Sequence, residues 1–340
     1  MPHQLGRSRV SVSPLGLGAA SIGNLYRAVP DDRAAATVEA AWQAGIRYFD
    51  TAPHYGLGLS ERRLGQALSA HPRAEYVLST KVGRILVDNP LGAAANDLAN
   101  GFDVPADRRR EWDFSAAGVR RSIEDSLRRL GTDRIDVVLI HDPEESPDAG
   151  RAVREAYPAL HELRAQGVIG AVGVGSKDTA VLTRFAAETE VDALMVAGRY
   201  TLLEQPALDD LLPVCTARGI SMINVGVFNS GLLAVDWPDE TRPYEYGTVP
   251  AEILARAQAI ALTCRRHGVS LPQAALAFAT AHPCVASVVV GAGRPENITR
   301  SAELFDRPVP GGLWAELVGE GLLRPDAPVP EGSAPVTPSR

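Results

Sequence analysis

The stretch that decides the fold is FDTAPHYG, residues Phe49 to Gly56. It follows Gly45-Ile46-Arg47-Tyr48, so a short apolar strand leads directly into an aspartate, a proline and a glycine. This order is typical of a strand that ends in a functional loop. In a (β/α) barrel the chemistry lies at the carboxyl ends of the strands, so we expect Asp50 and Tyr55 to stand at that rim.

Strands and helices alternate on both sides of this stretch. The predicted strands cover residues 15–19, 46–49, 76–81, 135–140, 168–174, 191–196, 220–225 and 285–290. Helical periodicity and capping residues predict helices over residues 31–42, 60–68, 115–130, 152–166, 178–187, 206–218, 250–267 and 295–305. Strict alternation of eight strands with helices predicts an α/β fold, a (β/α)8 TIM barrel with a parallel sheet.

The remaining segments fit around a barrel. We expect a single domain over residues 1–340, with an N-terminal β-hairpin at 1–14 and an irregular, Pro-rich tail at 308–340. The segments 82–114 and 226–249 are predicted as long, irregular βα loops, either lids or insertions. A doubly wound sheet is the alternative, but Gly16-Leu17-Gly18 lacks the third glycine and the helix start of a dinucleotide fingerprint.

Composition and charge exclude several classes of protein. The 340 residues carry a net charge of −7, and the one basic cluster, Arg108 to Arg110, is followed by Glu111, so we expect a solvated run and no nucleic-acid partner. Cys215, Cys264 and Cys284 lack disulfide or zinc spacing, which favours a reducing, cytoplasmic location. No stretch reaches the ~20 apolar residues that cross a membrane. Oligomerisation stays open.

Four polar side chains are predicted to converge on one rim of the barrel: Asp50, Tyr55, Lys81 and His141. A buried lysine favours the phenolate of a neighbouring tyrosine and lowers its pKa, while an aspartate keeps the lysine charged. We therefore expect the tyrosine to exchange a proton near neutral pH. The histidine is expected to orient a carbonyl or hydroxyl oxygen. This set suits proton transfer at an oxygen whose carbon gains or loses hydride.

In order and spacing these motifs resemble the aldo-keto reductase superfamily along nearly the whole chain. FDTAPHYG is followed by SERRLG at residues 60–65, by a strand ending in Lys81 and by a strand ending in His141. The resemblance implies that Tyr55 is the general acid/base, that Lys81 and Asp50 tune it, and that His141 positions the substrate oxygen. It also implies an enzyme, an NAD(P)-dependent oxidoreductase acting on a sugar or an aldehyde.

Three further motifs resemble one branch of that superfamily. TKVGR at 80–84, HDPE at 141–144 and AGRYTLLEQ at 197–205 are similar to the branch containing D-threo-aldose 1-dehydrogenase, also called L-fucose dehydrogenase, and pyridoxal 4-dehydrogenase. This resemblance implies oxidation of an aldose such as L-fucose at C1 to the lactone. Oxidation of pyridoxal and general aldehyde reduction are the alternatives.

The resemblance also implies a site for NAD or NADP at the barrel mouth. The family's loop after the seventh strand, which wraps the pyrophosphate, matches Asn229, Ser230, Gly231 and Leu232. Its loop after the eighth strand, whose helix N-terminus attracts the adenosine phosphate, matches Gly291, Gly293, Arg294 and Asn297. Arg294 could pair with a 2′-phosphate, so the preference between NAD and NADP stays open.

The chain departs from the family pattern around the nicotinamide. The usual Ser-Asn pair is Gly175-Ser176, which leaves Ser176 to hold the carboxamide. The usual Gln is Ala197 and the usual stacking Tyr is Val225, so Arg199 is a candidate replacement. The predicted substrate pocket includes His54, Trp112 and Arg199.

Two other classes of function are weighed. A metal-dependent barrel hydrolase would use His54, His141, Asp50 and Asp142, but the sequence has no HxH pair closing an early strand, so we predict no metal. A cofactor-sensing regulatory subunit without catalysis is the other alternative, and the complete set of four polar residues argues against it.

Overall fold

In the computed structural model, eight parallel strands close into a barrel in chain order. The structure describes residues 2–245 and 247–330. All strands in chain order are β1 His3–Gln4, β2 Ser11–Val12, β3 Leu15–Gly18, β4 Tyr48–Asp50, β5 Val77–Val82, β6 Arg84–Asp88, β7 Arg108–Trp112, β8 Ile135–His141, β9 Ile169–Ser176, β10 Ala193–Ala197, β11 Ser221–Val225, β12 Pro243–Tyr244, β13 Gly247–Thr248 and β14 Val285–Gly291. The barrel consists of β3, β4, β5, β8, β9, β10, β11 and β14, and the predicted (β/α)8 TIM barrel is confirmed.

Helices cover the outside of the barrel. They are α1 Asp31–Gln43, α2 Leu59–Leu68, α3 Ala116–Leu130, α4 Tyr157–Ala165, α5 Thr179–Glu188, α6 Leu211–Arg218, α7 Ala251–Arg266, α8 Leu271–Ala279, α9 Pro295–Phe305 and α10 Gly311–Gly319. Their apolar faces pack against the strands in one continuous buried cluster. None of the helices within residues 2–245 and 247–330 is both long and apolar enough to cross a bilayer.

The predicted N-terminal hairpin is present and closes the base of the barrel. Strands β1 and β2 pair antiparallel, with His3 opposite Val12. Leu5 and Val12 are fully buried and belong to the same apolar cluster as the barrel interior. Apolar side chains that leave water at this end make the interior a packed core and leave the opposite end for binding.

The prediction that residues 82–114 form an irregular loop is wrong in part. Strands β6 and β7 form an antiparallel hairpin with Arg84 opposite Trp112, and short 3₁₀ turns lie between them. The prediction that Arg108 to Arg110 form a solvated run is also wrong for Arg110, which makes a bidentate ion pair with the buried Asp97 at 2.7 and 2.9 Å. Arg110 also donates to the carbonyl oxygen of His54 at 2.8 Å, and this hydrogen bond links the hairpin to the FDTAPHYG turn.

Two more segments differ from expectation. The tail predicted as irregular over 308–340 contains α10, which packs on α7 through Arg266 and His267 paired with Glu316; residues 331–340 lie outside the described residues. Helix α8 lies outside the predicted elements because, apart from Gln273, it is apolar and buried nearly all round, so no amphipathic period marks it. The predicted loop 226–249 contains a 3₁₀ turn, Asn229–Gly231, and the β12–β13 hairpin.

Candidate active site

Three neighbouring strands and one turn bring the four predicted polar residues together. Asp50 ends β4, Lys81 lies one residue before the end of β5, and His141 ends β8. These strands pair with one another in that order, so the parallel sheet places their carboxyl ends at one rim. Tyr55 follows β4 in the FDTAPHYG turn, and its ring centroid lies 5.6 Å from that of His141.

The turn that carries Tyr55 requires its last residue to be glycine. Gly56 has φ +60°, and a Cβ added there would stand 2.2 Å from the carbonyl oxygen of Gly23. Both the backbone angle and the close approach exclude a side chain at this position. The end of the motif is therefore fixed by packing, which in turn fixes the position of Tyr55.

Lys81 is the centre of the hydrogen-bond network. Its ammonium donates to Asp50 Oδ2 at 2.6 Å, to the carbonyl oxygen of Thr51 at 3.0 Å and to the Tyr55 hydroxyl at 3.1 Å. Lys81 is 2 % exposed, so all three of its protons are used away from water. Ser79, two residues earlier on the same face of β5, donates to Asp50 Oδ1 at 2.7 Å. The sequence signal for Ser79 is its spacing of two residues from Lys81, which places both side chains on one face of the strand.

Burial changes the expected titration of the tyrosine. Desolvation raises the pKa of Tyr55 to about 12, although Lys81 acts to lower it. Lys81 thus acts in the expected direction, but the prediction of a lowered pKa is wrong, because the cost of burying a phenolate exceeds the attraction. The pKa of Lys81 is raised by Asp50 and Tyr55 despite opposing desolvation, so it stays an ammonium. At neutral pH the site holds a protonated tyrosine beside a cation.

His141 is neutral. Burial, and then the nearby charges of Arg84 and Lys81, hold the pKa of its imidazole well below its usual range. A neutral imidazole has one N–H donor, which suits it to bind an oxygen without protonating it. Its Nε2 lies 3.3 Å from a carboxylate oxygen of Asp142.

Arg84 is a site residue that the sequence reasoning missed. It begins β6, is 6 % exposed, and donates to His54 Nδ1 at 3.2 Å, to Asp142 at 3.0 Å and to Glu145 at 2.9 Å. Its guanidinium also lies 4.6 Å from the ring centre of Trp112. The only sequence signal was its place at the end of the TKVGR motif, three residues after Lys81.

Of the three residues predicted to line a substrate pocket, His54 lies beside Tyr55 and His141, and Trp112 lies beside Arg84. His54 contacts the rings of Tyr55 and His141 edge-on, and burial, then Arg110 and Arg84, lower its pKa to about 2, so it is neutral. Trp112 is half-buried next to Arg84. Arg199 instead donates to Glu245 at 2.8 Å and to the carbonyl of Lys177 at 3.1 Å, which joins three loops.

Ser176 is engaged by a carboxylate. It ends β9, is 2 % exposed, and donates to Glu144 Oε1 at 2.5 Å. The other oxygen of Glu144, Oε2, is buried without a hydrogen-bond partner among the described residues. An orphaned carboxylate oxygen suits the N–H₂ of an amide, so Ser176 and Glu144 form a polar pair that could hold one.

The predicted pyrophosphate loop contains an unusual run of backbone angles. Asn229, Ser230 and Gly231 all have positive φ, at 46, 60 and 104°. The N–H groups of Asn229, Gly231 and Leu232 donate to carbonyl oxygens of the same loop, so a phosphate reaches them only if the loop opens. The side chain of Asn229 donates to Glu204 at 3.0 Å, while its carbonyl oxygen is buried without a partner in the described chain.

The second predicted cofactor loop is open to solvent. Gly291 ends β14, and a Cβ there and at Gly293 would meet Ser21 at 3.4 and 3.5 Å. Arg294 stands at the N-cap of α9 and is exposed, as is Asn297. An eleven-residue helix that points its N-terminus at this rim attracts an anion. The orphaned oxygens of Asn229 and Glu144 are acceptors that fit the amide and hydroxyl donors of a dinucleotide, while the N-terminus of α9 fits its phosphates.

The residues proposed for a metal hydrolase do not form a ligand set. Within residues 2–245 and 247–330, no group of three or more His, Cys, Asp or Glu side chains is arranged to hold a metal ion. The guanidinium of Arg84 occupies the place between His54 and Asp142. A fixed cation at that place repels a second one.

Comparisons with known proteins agree with this geometry. The profile described as the aldo/keto reductase family matches residues 14–317. A D-threo-aldose 1-dehydrogenase from a Pseudomonas species is 51% identical over 92% of this chain and 95% of its own length. Pyridoxal 4-dehydrogenase of Microbacterium luteolum is 37% identical over 94% and 97%. Among solved structures, the holo form of an aldo-keto reductase from Bacillus halodurans matches with a TM-score of 0.73 and 25% identity over 94% and 95%.

Proposed function

The chain belongs to the aldo/keto reductase family, and from this premise we propose that it oxidises an aldose such as L-fucose at C1 to the lactone, with NAD or NADP as hydride acceptor. The observation that carries the proposal is the contact of Lys81 Nζ with both Asp50 and the Tyr55 hydroxyl. The similarity to a D-threo-aldose 1-dehydrogenase supports the choice of substrate class. We propose that residues 1–340 act as one catalytic domain.

The proposed mechanism assigns one task to each of the four residues. A bound oxidised nicotinamide supplies the acceptor for the hydride that leaves C1 of the sugar. Tyr55 takes the proton of the C1 hydroxyl, and the C1–O bond becomes the lactone carbonyl. Lys81, held by Asp50, stabilises the phenolate form of Tyr55 through its hydrogen bond. Neutral His141 donates an N–H to the C1 oxygen of the sugar.

We propose that the cofactor extends over the barrel mouth. Ser176 and Glu144 would hold the carboxamide, Asn229 to Leu232 the pyrophosphate, and Gly291, Gly293, Arg294 and Asn297 the adenosine part. Arg199 joins neighbouring loops, and we propose that it stabilises the mouth and does not hold the nicotinamide. The choice between NAD and NADP depends on Arg294, the residue at the N-cap of α9.

Two alternatives share the same site. The similarity to a pyridoxal 4-dehydrogenase favours oxidation of pyridoxal as the second candidate. General aldehyde reduction is the reverse chemistry of the same residues. The prediction of a cytoplasmic location also stays with the proposal, supported by the free thiols of Cys215, Cys264 and Cys284.

The test measures the increase in reduced-nicotinamide absorbance with NAD and with NADP, while L-fucose, D-arabinose, L-galactose and pyridoxal are offered separately. An absorbance increase with a sugar supports an aldose dehydrogenase and identifies the preferred cofactor. An increase with pyridoxal alone would move the assignment to the second candidate. No increase with any of the four would overturn both assignments.

A further inference from the structure

Asp142 directly follows His141 and has a backbone conformation that a side chain rarely adopts. Its φ is 39°, in the left-handed region, and its N–H donates to the carbonyl of Gly175 at 2.8 Å. A non-glycine residue in this region carries a conformational cost. The result of this turn is that the carboxylate lies beside its neighbour, with Oδ2 3.3 Å from His141 Nε2.

The carboxylate of Asp142 is held in place from the other side by Arg84. The guanidinium donates to Asp142 Oδ2 at 3.0 Å and is itself fixed by His54 and by the Trp112 ring. Because Arg84 is 6 % exposed, its guanidinium has little access to water that could replace the carboxylate. A carboxylate held by a buried arginine is a preorganised acceptor.

One oxygen of this carboxylate is not used by the protein. Both contacts described above involve Oδ2, and within the described chain Oδ1 accepts no hydrogen bond. The side chain is 25% exposed at the rim where Tyr55 and His141 meet the mouth. Asp142 therefore offers a free acceptor to whatever lies next to the reacting oxygen.

From this geometry we infer that Asp142 selects substrates that carry a hydroxyl on the carbon next to the reacting carbon. The inference rests on the proposed function, in which His141 and Tyr55 hold the C1 oxygen of an aldose. The C2 hydroxyl is then the nearest donor to Asp142, since it belongs to the adjacent carbon of the same ring. A simple aldehyde has no such donor and leaves Oδ1 of the carboxylate without a partner, which a site built around a hydrogen bond penalises.

A two-by-two comparison of enzyme and substrate tests this inference. L-fucose and 2-deoxy-L-fucose are each oxidised by the unaltered protein and by Asp142→Asn, an exchange that the left-handed backbone tolerates. Asp142→Gly is measured in parallel, because it removes the acceptor entirely and suits the same φ. Thermal unfolding and cofactor affinity report whether each variant is folded and loaded.

We expect the unaltered protein to prefer L-fucose over the 2-deoxy sugar by about 10- to 100-fold in kcat/KM. Asp142→Gly should lose that preference, with most of the change in KM. Glu145→Gln is the matched control, because Glu145 also accepts from Arg84 at 2.9 Å but is half-exposed, and its variant should keep the preference.

The contradicting results are distinct. A preference that survives in Asp142→Gly would overturn the role in selecting the hydroxyl, as would an equal loss on both sugars, which would mean that Asp142 only orients His141. No reduced nicotinamide from any aldose with the unaltered protein would reject the proposed function and this inference together.

Discussion

The two ends of the barrel both contain ion pairs that are at least partly buried, but these pairs contact different neighbouring groups. At the base, Asp192 Oδ2 accepts from Arg164 at 2.6 Å and from the backbone N–H of Val172 at 2.9 Å. Asp136 repeats this pattern with Arg73 and the N–H of Leu78. Each carboxylate there ties the start of one strand to its neighbour.

At the mouth, the Lys81–Asp50 ion pair contacts a side chain that can meet a ligand. Lys81 and Asp50 are as buried as the base pairs or more so, but the third contact of the cation is the hydroxyl of Tyr55. The two ends differ in the group that contacts the ion pair. At the base it is a backbone N–H, which fixes the strand register, whereas at the mouth it is a tyrosine hydroxyl, which can exchange a proton with a ligand. Base pairs should therefore matter for stability and the mouth pair for turnover.

The largest effect is expected from Tyr55→Phe. Removal of the hydroxyl should lower kcat for aldose oxidation about 1000-fold, because the proposed mechanism assigns the proton of the C1 hydroxyl to Tyr55 alone. Cofactor affinity, measured by fluorescence titration, should stay within a factor of about three. Tyr157→Phe is the matched control, since that hydroxyl accepts from the Glu190 N–H and donates to His161 Nδ1 near the base, and it should keep its turnover. Full activity in Tyr55→Phe would remove the proposed mechanism.

The next effect is expected from Lys81→Met. Loss of the ammonium should reduce kcat about 100-fold and displace the pH profile of oxidation to higher pH, because the phenolate of Tyr55 loses its cation. The displacement is the informative result, since a misfolded variant would lose rate without moving its profile. Unchanged pH dependence would assign Lys81 a purely structural role, like that of the arginines at the base.

The pH dependence of the unaltered protein is a smaller test of the same network. Burial raises the pKa of Tyr55 to about 12, so the tyrosine is protonated near neutrality and must lose its proton to act as a base. Oxidation, measured as kcat/KM, should rise about tenfold from pH 7 to pH 8, whereas aldehyde reduction should not rise. Oxidation that falls over this interval would contradict the assigned base.

The smallest effect on turnover is expected at the base. Asp192→Asn leaves Arg164 without its carboxylate partner and weakens the bond to Val172, so the free energy of unfolding should fall by about 1 to 3 kcal/mol. Oxidation rate should change less than about twofold. Arg184→Gln is the control for denaturant unfolding, because its pair with Glu188 is half-exposed and contributes at most about 0.5 kcal/mol. Lost turnover with intact stability in Asp192→Asn would contradict the distinction between the two ends.

Local patterns in the sequence were sufficient for the barrel and for the four polar residues. Each strand is apolar, short and bounded by turn residues, and parallel pairing then brings Asp50, Lys81 and His141 to one rim without further information. The predicted roles of these residues remain predictions until turnover is measured.

The features that the sequence did not predict depend on distant contacts. The pairing of Arg84 with Trp112 joins residues separated by a long segment with no strand period, and Arg110 is largely shielded from water where it pairs with the buried Asp97. The raised pKa of Tyr55 likewise comes from desolvation, which no motif reports. The position of Arg84 in the TKVGR motif gave no sign of its partner, because Asp142 lies far away in the sequence and is brought next to Arg84 only by the fold.

The central claim, that hydride leaves C1 of an aldose at this site, is tested most directly with L-fucose that carries deuterium at C1. The labelled sugar is incubated with the preferred cofactor, and the reduced nicotinamide and the sugar product are analysed by mass spectrometry. The account predicts that the deuterium is found in the nicotinamide and that the lactone contains none. Deuterium retained in the sugar product, or reduced nicotinamide without the label, would contradict it.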